Sequence, residues 1–169
     1  KDHINPNRYA MPNCWVSYQS CRKAIGNIKY TKWLLGFSSV TSPTNARSFI
    51  PSLIPESGVG NSFPLILLSD GNVELSALLC SCLSTYVYDY IARQKIGGVN
   101  LNFFIVKQLP VISKEVIYNK SSTSYNLLRF ILNIVIELTY TAWDMKYFAE
   151  DIGYNGPPFI WDEERRFEI

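Results

Sequence analysis

Histidine is nearly missing from this chain: one imidazole, His3, serves 169 residues. Sitting at the very start, it leaves serine and cysteine nucleophiles without a credible general base. Cysteine is scarce too. Cys14, Cys21, Cys80 and Cys82 show no Cys-x-x-Cys pair, so they do not compose a zinc site and are expected as free or buried thiols of a reducing compartment. No apolar run reaches the roughly 18 residues of a membrane span, and the N-terminus lacks the basic-then-apolar order of a signal peptide. A cytoplasmic protein with no membrane partner is expected. Charge is thin: 18% charged residues and a formal net charge of +2 exclude an acidic tail or a polybasic arm. A nucleic-acid role must therefore rest on where the cations fall.

Catalytic fingerprints are equally sparse. Gly58-Val59-Gly60 and Gly97–Gly98 are too short for a phosphate-binding loop and read as turns. "NGPPF", 155–159, resembles the motif with which adenine-N6 methyltransferases hold a flipped base, but Gly156 stands where a side-chain acceptor is needed. No glycine-rich strand-to-helix turn precedes it, so a proline-stiffened loop is the better account. "DMK", Asp144 to Lys146, matches only the tripeptide of a metal-dependent nuclease and is expected to be solvated helix charge.

What is present is core-forming material. At 47% apolar and 14% aromatic, the chain can build one domain with a substantial interior. Proline-containing residues 1–30 read as loop with a short helix near 17–24. "TKWLLGFSSV", "ARSFIPSLIP" and "PLILLS" read as strands separated by the turn chemistry of "TSPTN" and "GVGNSF". Leu75, Leu78, Leu79, Leu83, Val87 and Ile91 recur on a helical period, predicting one helix over 73–94 stopped by Gly97–Gly98. "LNFFIVKQLPV" reads as a strand limited by Pro110, and 124–149 as a second long helix, broken late. The expected class is α+β, a mixed β-sheet packed against two long helices. The chain opens on Lys1 rather than Met, and Asp162 caps a helix scarcely begun before the end, so a piece of a longer protein is expected.

The junction "DYIARQKIGGVNLNFF" stands out. Arg93 and Lys95 sit at a helix end, Gly97 and Gly98 bare the backbone, and Asn100 and Asn102 alternate with Leu101 and Phe103. Cations with exposed amides suit phosphate, and asparagine can pair with adenine edges. The same residues equally suit a helix C-terminal dipole and ordinary turns.

"WLLGFSSVTSPTNARSFIPSLIP", "VGNSFPLIL", "DYIARQKIGGVNLNFFIVKQLPV", "ELTYTAWDM" and "PPFIWDEERR" together resemble the C-terminal part of type IIG restriction–modification DNA methylases and related phage-defence methylases, in order over about residues 31 to 167. Two departures stand in it: Ser38–Ser39 where Arg-Asp is usual, and Thr44, Asn45, Ala46, Arg47, Ser48 in place of "TNERT". The resemblance implies a non-catalytic target-recognition domain spanning 1–169, with 1–30 as a variable loop region and 162–169 as the start of a helix. Double-stranded DNA and the methylase core of the same parent chain would be its partners. That core would be a site-specific adenine-N6 methyltransferase using S-adenosylmethionine, with no cofactor in this piece, in a bacterial or archaeal cytoplasm. Arg93, Lys95, Lys107, Gly97 and Gly98 are the expected phosphate contacts, and Asn45, Arg47, Asn100 and Asn102 the expected base or sugar contacts.

Overall fold

A computed structural model of the protein describes residues 4–12, 14–26, 28–29, 31–117 and 122–169; His3 lies outside them. At its centre is β1 (Trp33–Phe37), whose five residues are all buried. A strand covered on both faces and both edges has no polar side, and "WLLGF" has none. β1 pairs antiparallel with β2 (Pro51–Pro55) and with β3 (Leu65–Ile66), giving the order β2-β1-β3. Leu35 faces Leu53 on one side and Ile66 on the other. The prolines at both ends of β2 are tolerated because it is an edge strand.

Helix α1 (Tyr18–Ile25) precedes the sheet, capped by Ser17, whose hydroxyl accepts from Ser20 N. After the sheet, α2 (Val73–Leu83) starts at Asn72, whose amide oxygen accepts from Leu75 N at 2.8 Å. The single helix expected over 73–94 is in fact two, α2 and α3 (Tyr86–Arg93), bent by 63°. Two hydroxyls account for the break. Ser84 Oγ donates back to Cys80 O and Thr85 Oγ1 to Cys82 O, after which Thr85 turns extended and its side chain caps α3 at Tyr88 N.

The expected strand 101–111 is likewise corrected: it contains the helical turn α4 (Phe103–Val106). α5 (Lys114–Ile117) follows, then α6 (Ser122–Thr139). α6 buries Leu128, Leu132, Val135 and Ile136, a stripe at i, i+4, i+7 and i+8 that packs on α2 and the sheet. The helix expected through 149 ends at Thr139; a 3₁₀ turn (Trp143–Met145) leads into α7 (Lys146–Asp151), and α8 (Glu163–Glu168) closes the chain. Asp162 caps α8 as expected, accepting from Arg165 N at 2.8 Å. Arg165 then grips Glu137 of α6 through two hydrogen bonds of 2.9 and 3.0 Å.

The fold is therefore α+β, with a small antiparallel sheet and one long helix in place of the mixed sheet and two long helices expected. Among the described residues no single helix is long and apolar enough to cross a membrane. The interior forms two clusters. One joins Trp33, Leu35 and Leu53 to α2, α6, Tyr140 and Phe148, and Trp33 Nε1 ties it to Asp151 Oδ2 at 2.7 Å. The other joins Phe37 and Phe49 to Leu83, Tyr88, Ala92, Ile96, Leu101 and Leu109. Ile66 and Leu79 touch both. The junction singled out in the sequence is built on the second cluster.

Candidate nucleic-acid interface

α3 carries Asp89 and Arg93 one turn apart, on one side of the helix. Asp89 is buried, and its carboxylate is the hub of the region. Oδ1 accepts from the backbone N–H of Ser48 and of Phe49, both at 2.7 Å. Oδ2 accepts from Arg93 Nε at 2.7 Å, and Arg47 Nε stands 3.8 Å from Oδ1. Burial pushes the carboxyl up, but the hydrogen bonds from Phe49 N, Arg93 and Ser48 N outweigh it and hold the group below the usual aspartate range.

Arg93 is spent on the same loop. Its two terminal nitrogens donate to the carbonyls of Pro43 and Ala46, at 3.1 and 2.7 Å. Arg47 donates to Ser84 O and lies over the Tyr86 ring, 4.7 Å from the centroid. Both side chains are roughly one-quarter to one-third exposed, 27% for Arg93 and 30% for Arg47. Both residues, expected as DNA contacts, are engaged in clamping residues 42–49 onto α3 while keeping part of each guanidinium side chain exposed. Two guanidiniums on one carboxylate still leave the cluster one positive charge in excess.

Gly97 and Gly98 are exposed, with open space where a Cβ would stand. Neither adopts the left-handed conformation expected of a helix stop; α3 ends on Gln94 in right-handed geometry. From there the chain runs antiparallel to residues 39–41: Thr41 N donates to Val99 O at 3.0 Å and Leu101 N to Ser39 O at 2.7 Å. Leu101 is fully buried, while Asn100 and Asn102 face solvent, so the alternation read in the sequence holds at these three positions. Asn102 begins α4 without a side-chain capping bond. Lys95, Lys107 and Asn45 are exposed, and Lys95 Nζ reaches Gln108 Oε1 at 3.4 Å. Between Asp89 and Glu115 the sequence holds Arg93, Lys95, Lys107 and Lys114 and no carboxylate.

The backbone pairing and the Arg93 clamp thus bring Asn45, Asn100 and the junction onto neighbouring loops, with Arg47 and Arg93 half-buried beside them. Sequence reasoning missed Asp89 as the hub, although its i, i+4 spacing to Arg93 was visible. Elsewhere, the "NGPPF" loop serves packing: Phe159 stacks on Tyr154 at 5.0 Å, and Tyr154 OH donates to Pro157 O. Burial raises the Asp144 carboxyl, so it is not the freely solvated charge expected. Among the described residues no group of three or more metal-ligating side chains comes together. Comparison with protein-family models, with curated proteins and with solved structures finds no match to this chain.

Proposed function

We propose that this chain is a non-catalytic DNA-binding domain that positions a separate S-adenosylmethionine-dependent adenine-N6 methylase core on duplex DNA, in a bacterial or archaeal cytoplasm. The observation that carries the reading is an acid-free segment, Lys95 to Lys107, in which both lysines, Gly97, Gly98, Asn100 and Asn102 are exposed together. Lysines and bare backbone suit phosphate, and the asparagines, with Asn45 on the adjoining loop, suit base or sugar edges. Arg93 and Arg47 act by holding that loop in place and by the excess charge of their cluster. The outer face of α6, where Leu127, Phe130 and Leu138 are exposed, suits the methylase core as partner.

The same apolar face supports a second reading, a protein–protein module without DNA contact. Salt dependence separates the two. Duplex binding by the chain should weaken linearly on a log–log salt plot, and Lys95→Ala with Lys107→Ala should lower the slope by about 2, at roughly 0.9 per phosphate contact. No duplex binding, or weak binding that neither salt nor the double change alters, favours the scaffold. Methyl transfer or cleavage by this chain alone would overturn the non-catalytic assignment.

A further inference from the structure

Phe104 is 77% exposed, an expensive place for a phenylalanine whose burial would yield about 1.5–3 kcal/mol. Its neighbours explain why it faces out. Leu101 and Leu109 lie in the second core cluster and Ile105 packs against it, while Phe103 sets its ring edge-on to Phe37 at 5.4 Å. One helical turn anchored on those residues leaves Phe104 on the opposite side. Lys107 and Gln108, three and four residues on, share that side. Gln108 Nε2 donates to Phe104 O at 3.1 Å and its Oε1 meets Lys95 Nζ at 3.4 Å, so one amide links Lys95 to the Phe104 backbone, and helical spacing sets Lys107 on the side of the exposed ring.

We propose that Phe104 is the base-stacking element of this surface: its ring packs on the face of a nucleobase displaced from the stack while Lys95 and Lys107 hold the flanking phosphates. An apolar protein partner would gain from the ring but would leave two lysines facing it unpaired; an unstacked nucleic acid satisfies both, with a π-face for the ring and anions for the cations. The assignment rests on the DNA-binding reading above and gives it a ligand feature, an opened base step.

The test compares a short paired duplex with the same duplex carrying one unpaired fluorescent adenine analogue. The chain should bind the bulged duplex about tenfold more tightly, within the range of one base–aromatic stack, and should change the analogue's fluorescence. Phe104→Ala should abolish the preference and the fluorescence change yet keep its affinity for the paired duplex within about twofold, and Phe104→Trp should restore both. Lys95→Ala with Lys107→Ala should weaken both duplexes alike. Equal, salt-dependent binding of the two duplexes, or a preference that survives Phe104→Ala, overturns the stacking role while leaving the DNA reading standing. Failure of the unaltered chain to bind either duplex overturns both.

Discussion

Asp89 shows how one buried carboxylate can organise a surface it never reaches. It satisfies two backbone N–H groups of residues 48 and 49 that the fold has taken from water, and it neutralises the guanidinium that fastens residues 43 and 46. Removing it would strand an arginine and two amides, and breaking a buried pair of this kind costs about 3–5 kcal/mol. Asp89→Ala should therefore lower the urea midpoint steeply. The folded-state pKa of Asp89 lies below its unfolded value, so its contribution is complete above the unfolded value near 3.9 and disappears as pH falls through the folded one. Urea midpoints should hold from neutral pH down to about 5 and fall below about 4, and Asp89→Asn should flatten that acid limb. An Asn variant that loses as much on acidification as its parent would assign the limb to other carboxylates.

Among the elements, β1 is the least forgiving. Gly36 lies between two paired strands, and a Cβ there would meet the Phe63 ring and stand 2.7 Å from Pro64 O. The ring could swing away, but that carbonyl accepts from Phe37 N and is fixed. Gly36→Ala should destabilise by about 1–3 kcal/mol, the usual result of overpacking, seen as a lower thermal midpoint. β1 and β2 were legible in the sequence because composition and turn residues agreed there, and the α8 start was legible from its Asp162 cap. The region 84–109 was not. The apolar helical period runs from Leu83 to Val87 straight across Thr85, so periodicity alone could not reveal that the Thr85 hydroxyl ends one helix and caps the next. "LNFFIVKQLPV" has strand-like composition, yet Leu101, Ile105 and Leu109 are spaced by four, and one helical turn delivers all three to the same cluster. Tertiary burial chose the period that propensity had hidden. For the candidate site, the exposed lysines, glycines and asparagines were readable as residue types. The Asp89–Arg93 spacing was visible, but the engagement of both arginines with residues 42–49 depended on that pair meeting a loop some 40 residues distant, which no local pattern encodes.

At the scale of the whole molecule, the two clusters divide the labour. The first, built from α2, α6 and the strand centre, holds the scaffold; the second holds the junction, and the two meet through Ile66 and Leu79. An interior divided in this way should open in parts, since local stability follows local burial. Leu101 is the probe: it is fully buried in the second cluster, and its own N–H is one of the two that bind residues 99–101 to 39–41. Leu101→Ala should cost about 2–5 kcal/mol, as other buried leucine truncations do. Hydrogen exchange locates the loss. The amides of Thr41 and Leu101 should lose protection first, while those in the middle of α6, at Leu132 to Ile136, stay close to their original rates. Uniform acceleration throughout the chain would mean a single cooperative core. Duplex binding by the same variant should fall along with junction protection even where α6 is unchanged, because Asn45, Asn100 and the two lysines keep their relative positions only while the second cluster is packed.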